Sequence, residues 1–385
     1  MFDSEELPEL RKQIRETTSR DKKLLDSLCA DVRDLRSSVR SIKPRSATAV
    51  SLVASDGGNN KIQFDPFLLQ IVRVVDSYGK QLCLDVVSPT TDTDVLSKAQ
   101  FNDDGSPRTA LGRLMKDLGK RTIHALSPAV PTGERTRSEP ESVKPGWVLT
   151  YRDLCEWATL YERICYHSFA TDTLIVRDGL LRGKMFAGDL FVKMALKIDE
   201  HIQEIRKKER RRVFLVGMAK HSQVLERYRL AMALEGTFPV GDSRYVRIPR
   251  SLEKKVYQWD EYARGLDEIG RAGEDPKFVA GTMHFVRFGP RSGDPIWPID
   301  VFDRQVDSAP EIFGYLLNDA TNGFPIPHYP RCLQKAHEWA EVAGFDAEIM
   351  QREVYDSVRN ILPTGKKHAL DQQELDSTDM TGRRY

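Results

Sequence analysis

The sequence predicts an α/β fold built on one mixed β-sheet. Three apolar stretches follow one another closely and predict strands at 47–56, 67–75 and 81–87. After residue 147 the pattern changes, because stretches with helical periodicity alternate with short apolar runs. With 385 residues, 40% of them hydrophobic, the chain can fill the core of one large domain that carries insertions.

The first three strands are expected to be antiparallel neighbours, because the polar residues 77–80 favour a hairpin turn. A polar stretch rich in Ser, Thr, Pro and Gly then predicts an insertion over about 95–148. Within it, we expect a short helix from Ala110 to Leu118 and a loop or a mobile insertion over 127–146.

The second half alternates helices and strands. Thr150 is expected to cap a helix that runs to His167, and the apolar run 173–176 predicts a strand that ends at Asp178. Further helices are predicted at 187–211, 223–234, 309–318 and 331–343, and further strands at 213–218, 282–288 and 297–302. A second insertion is expected over about 235–280, with a helix at 254–269, and a disordered tail over 364–385.

The N-terminal residues 1–45 predict a charged helical extension before a main domain over 46–363. Its helix is expected over 1–43, ended by Pro44. Its apolar residues recur with heptad spacing: Leu25, Leu28, Val32, Leu35, Val39 and Ile42. This stripe fits a helix that packs on its own domain and equally one that docks on a partner or pairs with a second copy.

Composition narrows the class of protein. The 58 basic and 57 acidic residues nearly cancel, so net charge does not point to a partner. Five cysteines without CxxC spacing favour reduced thiols in a cytoplasmic protein and argue against a structural zinc site. We expect no signal peptide and no membrane span. The motifs of P-loop ATPases, serine hydrolases and zinc proteases are missing.

Carboxylates fall at informative places in this order of elements. Asp56 is expected to end the first strand and Asp178 the fourth, each followed by glycine, and the intervening helix carries Glu156 and Glu162. Asp-Gly is also a common turn pair. The order of elements is that of a ribonuclease H-like fold, in which clustered carboxylates would bind Mg²⁺ or Mn²⁺. Two such ions can hydrolyse a phosphodiester bond between them.

A basic segment at 206–212 ends the long helix. Cations there complement the helix dipole, but their density also fits contact with nucleic-acid phosphates. The candidate phosphate-binding residues are Lys207, Lys208, Arg210 and Arg211.

Four short segments, in order, resemble the NurA nuclease family over about residues 47–345. They are Ser55-Asp56-Gly57-Gly58, Val176 to Leu181, Val216 to Lys220, and His328-Tyr329-Pro330 followed by Ala336-His337. The resemblance implies a ribonuclease H-like, Mn²⁺- or Mg²⁺-dependent deoxyribonuclease that forms a toroidal dimer. It also implies docking on a hexameric HerA-type ATPase, with a role in DNA end processing, in repair or in defence against phage.

The resemblance also implies roles for individual residues. Asp56 and Asp178 would be metal ligands, His337 and Tyr329 would belong to the same site, and Lys220 would contact a phosphate. The third carboxylate is Glu162 or Glu156, with Glu162 favoured narrowly. The sequence departs from the family pattern in three positions: Arg177, Leu180 and His328.

Two other functions remain open. These departures are compatible with a catalytically inactive module that binds DNA or regulates the ATPase. The heptad stripe is compatible with an adaptor whose globular part only presents residues 1–43. Phe324 and Tyr329 either stack on bases or simply pack within the fold.

Overall fold

A computed structural model describes residues 7–46, 50–64, 67–256, 279–321, 323–341, 345–368 and 370. Its strands are β1 (Arg40–Ser41), β2 (Val50–Phe64), β3 (Phe67–Asp76), β4 (Gln81–Val87), β5 (Asp172–Asp178), β6 (Val213–Met218), β7 (Arg244–Arg247), β8 (Gly281–Arg287) and β9 (Ile296–Phe302).

Its helices are α1 (Leu7–Arg20), α2 (Lys22–Val32), α3 (Leu35–Ser38), α4 (Thr93–Lys98), α5 (Ala110–Asp117), α6 (Ile123–Leu126), α7 (Gly133–Ser138), α8 (Trp147–Tyr166), α9 (Leu190–Lys208), α10 (Gln223–Leu234), α11 (Arg250–Lys254), α12 (Ala309–Thr321), α13 (Arg331–Ala340) and α14 (Phe345–Ile361). None of the described helices is both long and apolar enough to cross a membrane.

The described strands form one nine-stranded mixed sheet in the order β1-β7-β8-β9-β6-β5-β2-β3-β4. Strands β2, β5 and β6 are mutually parallel in the centre, and every other neighbouring pair is antiparallel. The predicted mixed α/β sheet is therefore confirmed, including the antiparallel order of its first three strands.

Helices cover the two faces of the sheet, and successive residues of a strand point to opposite faces. Ile175 of β5 packs in the cluster formed with α8 and α9, whereas its neighbours Leu174 and Val176 pack with α12 and α13. We call these the α8 face and the α13 face. A third cluster, around α2 and α10, covers the end of the sheet near β8.

The prediction that the first strand ends at Asp56 is wrong, because β2 continues to Phe64. It continues because it forms a long hairpin with β3, in which Asp56 lies opposite Val75. Its parallel pairing with β5 does end here, at Ser55. The two glycines after Asp56 serve close packing instead of a turn. A Cβ on Gly57 would lie 2.2 Å from Glu156 Oε1 on one face, and one on Gly58 would lie 2.1 Å from the carbonyl of Ala340 on the other.

The predicted single helix over 1–43 is divided within the described residues into α1, α2 and α3. It ends before Pro44, because residues 40–41 form an edge strand paired with β7. Much of the heptad stripe faces inward: Val32 and Leu35 are buried against α10, and Ile42 is buried in the α13-face core. In contrast, α1 has no buried residue.

The predicted loop or mobile insertion over 127–146 is wrong in part. Ser127 and Val130 are buried, and α7 forms within the segment with its first turn capped by Thr132 Oγ1. Helix α8 begins at Trp147, three residues before the predicted cap at Thr150, because the Trp147 side chain is buried and its Nε1 donates to Pro89 O at 3.0 Å.

Two predictions fall largely outside the described residues. Of the predicted helix at 254–269, only residues 254–256 are described. Helix α11 ends there, at Lys254. Of the predicted disordered tail, residues 364–366 form a helical turn and Leu370 packs against Val354 and Val358. The remaining residues of both segments lie outside the described part of the chain.

Candidate metal centre

Asp56 and Asp178 emerge next to each other on the α13 face. Strand β5 ends at Asp178, and Gly179 follows with a φ of 109°, a conformation that favours glycine. The Gly179 N–H donates to Met218 O at 2.7 Å, which fixes this turn against β6. Both aspartates thus lie where the parallel pairing of β2 and β5 ends, and their carboxylates face the same helix.

Helix α13 adds His337 to the two aspartates. His337 Nδ1 lies 2.7 Å from Asp56 Oδ2, and one ligand atom from each of His337, Asp56 and Asp178 lies within 4.8 Å of the others. The close contact between Gly58 and Ala340 holds α13 against β2 and so sets the position of His337. The side chain of His337 is 57% exposed, so this corner of the cluster faces solvent.

The cluster carries negative charge that the protein compensates only partly. Burial, reinforced by the charge of Asp56, raises the pKa of Asp178. The charges of Lys220, Arg177 and His337 oppose this shift, although Lys220 Nζ is 3.7 Å from Asp178 Oδ2, longer than a hydrogen bond. Two carboxylates and an imidazole at this spacing have the donor chemistry of a Mn²⁺ or Mg²⁺ site.

Tyr329 supplies an independent sign that the cluster holds a ligand. The side chain is fully buried, yet its hydroxyl has no hydrogen-bond partner among the described residues. Burial first, and then the charges of Asp178 and Asp56, raise the pKa of Tyr329, so the hydroxyl stays protonated and able to donate. An unpaired buried hydroxyl is costly, and a bound group with an oxygen acceptor would satisfy it. These residues therefore fit a metal and an oxyanion.

A groove of about 630 Å³ opens beside the cluster. Lys220, Arg331 and Lys335 line it together with His337, while Glu338 and Glu341 add two carboxylates to a wall that is otherwise mostly apolar. Phe324 also lines it and is 85% exposed. The sequence analysis missed Arg331 and Lys335, although their spacing of four residues places them on one side of α13 and would have indicated a shared basic surface.

The α8 face has a different arrangement around Arg177, which is buried. Its guanidinium contacts Asp153, lies 3.3 Å from Glu156 Oε2 and stacks on Trp157 at 4.5 Å. Arg152 Nε adds a second cation 3.2 Å from Glu156 Oε1. Burial outweighs both arginines and raises the pKa of Glu156 to about 8. Glu156 thus approaches the backbone of β2 at Gly57, but from the face opposite to Asp56.

Glu162 is not among the residues that the structure brings together with Asp56 and Asp178. It forms an ion pair with Arg113 Nε at 3.0 Å and lines a different pocket, next to Cys83 and Asp85. The two glutamates differ because they lie six residues apart on α8, which is not a whole number of helical turns.

The basic segment 206–212 lies at the opposite end of the strands, where β5 and β6 begin. It precedes β6, and Arg212 at its end binds Asp172, the first residue of β5, at 2.8 Å. The Asp56–Asp178–His337 group is at the carboxyl ends of these same strands. Lys208 pairs with Glu204 at 3.2 Å, and Lys207, Arg210 and Arg211 are exposed.

Cys83 and Cys155 meet although they are far apart in sequence. With Asp85 they form a second group of possible ligand atoms within 4.8 Å of one another. The Tyr151 hydroxyl donates to Asp85 Oδ2 at 2.7 Å. A hydrogen bond to Cys83, together with burial, raises the pKa of Cys155, so this thiol is protonated at neutral pH.

Comparison with known proteins found similarity at the level of solved structures. No family model matches the sequence. No curated protein matches it. Similar solved structures are the NurA nuclease from Sulfolobus solfataricus (12% identity, covering 92% of this chain and 98% of the other, TM-score 0.38), a further NurA (15%, 92% and 99%, 0.40) and NurA bound to dAMP and manganese (13%, 96% and 100%, 0.39).

Proposed function

We propose that this protein is a metal-dependent DNA nuclease of the NurA type, with Asp56, Asp178 and His337 as its metal ligands. The observation that carries the proposal is the convergence of these three side chains from β2, β5 and α13 on one face of the sheet. The same residues lie in the four segments that resemble the NurA family. The strand order β4-β3-β2-β5-β6, with β2, β5 and β6 parallel, supports a ribonuclease H-like core.

The reaction is hydrolysis of a phosphodiester bond. Bound Mn²⁺ or Mg²⁺ would polarise the phosphate and lower the pKa of an attacking water. Lys220 would contact the phosphate, and the Tyr329 hydroxyl would donate a hydrogen bond to one of its oxygens; the position of Lys220 near Asp178 and Tyr329 supports this. Arg331 and Lys335 would hold the DNA backbone in the groove, and the exposed ring of Phe324 would stack on a base.

The number of metal ions depends on Glu156. In the form described, Arg177 and Arg152 engage Glu156, so the α13-face cluster provides one metal site. A two-metal mechanism would require a further carboxylate. Glu156 would then have to leave Arg177, or Glu162 would have to leave Arg113. We propose Glu156, because it lies at Gly57, the residue after Asp56, and the charge of Asp56 acts on it. To join the site it would also have to move from the α8 face towards Asp56.

We further propose that the nuclease works as a dimer with a HerA-type hexameric ATPase in the cytoplasm, in DNA end processing or defence against phage. Two surfaces are available for docking. Helix α1 has no buried residue. The basic segment 206–212 lies at the end of the strands away from the Asp56–Asp178–His337 group. There it would meet a partner or distant DNA, and not the phosphate that is cleaved.

A second candidate is a catalytically inactive module that binds DNA or regulates the ATPase. Arg177 favours it, because this arginine occupies the α8 carboxylates with a fixed cation. Such a module would need neither Asp56 nor Asp178.

A nuclease assay separates these candidates. Linear single- and double-stranded DNA would be incubated with the wild type, Asp56→Ala or Asp178→Ala, in Mn²⁺, Mg²⁺ or EDTA, with and without the ATPase. The proposal expects metal-dependent cleavage that both substitutions abolish. No cleavage by the folded wild type under any of these conditions would favour the inactive module.

A further inference from the structure

A second basic pocket lies between α10, the turn after it and the β8–β9 connection. Its volume is about 680 Å³, within the usual range for small-molecule sites. Three arginines line it: Arg36, Arg229 and Arg287. Apolar side chains, among them Met232, Val240 and Ile296, form much of the remaining wall.

Arg287 is the unusual member of this group. Its side chain is only 2% exposed, and its guanidinium donates to the carbonyls of Phe238, at 3.2 Å, and Pro239. Its Nε has no hydrogen-bond partner among the described residues. A buried guanidinium normally has a carboxylate partner, because leaving its charge uncompensated is costly.

No carboxylate in the described part of the chain forms an ion pair with any of the three arginines. Asp294 is on the pocket wall and its charge partly compensates that of Arg287, but its Oδ2 accepts from the Arg291 backbone N–H at 2.6 Å and its Oδ1 lies 3.8 Å from His328 Nε2. Arg36 and Arg229 are both exposed at the pocket rim. The pocket therefore combines one buried and two accessible cations with an apolar wall.

The pocket opens at the same end of the strands as the Asp56–Asp178–His337 group. Strand β8 ends at Arg287 and β9 begins at Ile296. Because β9 is antiparallel to β6, its first residues lie beside the end of β6, where the Ala219 N–H donates to Pro298 O at 3.1 Å. Trp297 Nε1 also donates to His328 O at 2.7 Å, which connects this edge to the loop that carries Tyr329.

We propose that this pocket binds a nucleoside phosphate, with Arg36, Arg229 and Arg287 around the phosphate and the apolar wall against the base. Guanidinium groups match the oxygens of a phosphate in geometry and charge. The ligand is either a free nucleotide or the 5′-phosphorylated end of a DNA strand that also reaches the metal cluster. Binding here requires neither metal nor cleavage, so it stands apart from the nuclease activity.

Calorimetric titration in EDTA tests this site, because chelation removes metal from the cluster. AMP, inorganic phosphate and adenosine would be titrated into the wild type, Arg36→Ala/Arg229→Ala and Arg227→Ala. Arg227 is exposed on the same helix as Arg229 but does not line the pocket, so it is a matched control. Arg36 and Arg229 are exposed, so we expect the double variant to fold, which its thermal unfolding curve would verify.

The proposal expects AMP to bind the wild type and Arg227→Ala within about twofold of each other. The double variant should bind at least about tenfold more weakly, and adenosine should bind weakly throughout. A 5′-phosphorylated oligonucleotide and its 5′-hydroxyl form distinguish the two sources. Tighter binding of the phosphorylated oligonucleotide than of both AMP and the 5′-hydroxyl form would assign a DNA end, and tighter binding of AMP a free nucleotide. The site is refuted if neither AMP nor the phosphorylated oligonucleotide binds, or if the double variant binds them as the wild type does.

Discussion

Neighbouring residues at the end of β5 lead to two contrasting environments. Asp178 faces α13, where it meets Asp56 and His337, and Lys220 Nζ lies 3.7 Å from its Oδ2. Arg177 faces α8, where it sits between Asp153 and Glu156. On the α8 face the protein's own arginines contact the carboxylates directly, although burial still raises the pKa of Glu156 to about 8. On the α13 face no arginine or lysine lies within hydrogen-bond distance of Asp178 in the described part of the chain, and two adjacent carboxylates without such a contact favour a cation site over a structural ion-pair network.

Removing a carboxylate from the α13 face should have the largest effect on activity. We expect Asp178→Asn to lower the nuclease rate by about a thousandfold or more, because it removes a metal ligand with little change in side-chain volume. Cleavage of a labelled DNA strand in Mn²⁺ measures this. Glu162→Gln is the control and should stay within about twofold of the wild type, since Glu162 pairs with Arg113. A larger loss from Glu162→Gln than from Asp178→Asn would reverse the assignment.

Removing the cation from the α8 face should instead reduce stability. We expect Arg177→Met to lower the free energy of unfolding by about 3–5 kcal/mol, because it leaves two carboxylates without their buried partner. Urea denaturation followed by circular dichroism measures the change. Arg152→Met is the matched control, with an expected loss of about 1 kcal/mol or less, since Arg152 is more exposed and Arg177 remains. Equal losses in the two variants would mean that Arg177 does not neutralise this face alone.

Tyr329→Phe should separate activity from stability on the α13 face. The hydroxyl has no protein partner among the described residues, so its removal should leave the free energy of unfolding unchanged or raise it by up to about 1 kcal/mol. The cleavage rate should fall about tenfold, because a donor to the bound phosphate is lost. Rate and unfolding would be measured on one preparation. A stability loss of more than about 1 kcal/mol would indicate a structural hydrogen bond instead.

The smallest expected effect is a dependence of metal stabilisation on pH. Burial and Asp56 raise the pKa of Asp178, so the folded protein without metal favours the protonated carboxyl. The ionised form costs stability as pH rises through this raised pKa, and bound metal offsets that cost. The increase in melting temperature caused by Mg²⁺ should therefore be larger at pH 8 than at pH 5. It should vanish at both pH values in Asp178→Asn. An equal increase at both pH values in the wild type would contradict the account.

The sequence was sufficient to predict the first three strands and the proximity of Asp56 to Asp178, whereas their role as metal ligands stays a prediction. Alternating and apolar runs define the strands, and the parallel pairing of β2 with β5 brings Asp56 beside Asp178. The position of His337 came from a resemblance to a family, because the packing of α13 on β2 is a tertiary contact between Gly58 and Ala340.

The orientation of α8 relative to the sheet could not be predicted from the sequence. Glu162 and Glu156 both lie on a predicted helix, and only the rotation and crossing of that helix decide which one meets β2. The early start at Trp147 and the contact of Glu156 with Gly57 fix this rotation. Likewise, the meeting of Cys83 with Cys155 depends on strand β4 packing under α8, which cysteine spacing does not reveal.

Direct titration of Mn²⁺ into the metal-free protein, followed by calorimetry, tests the central claim that Asp56, Asp178 and His337 form the metal site. The account predicts that the wild type and Glu162→Gln bind Mn²⁺ alike, and that Asp56→Asn and Asp178→Asn each lose the binding. Binding of Mn²⁺ to the folded Asp178→Asn variant with wild-type affinity would contradict it.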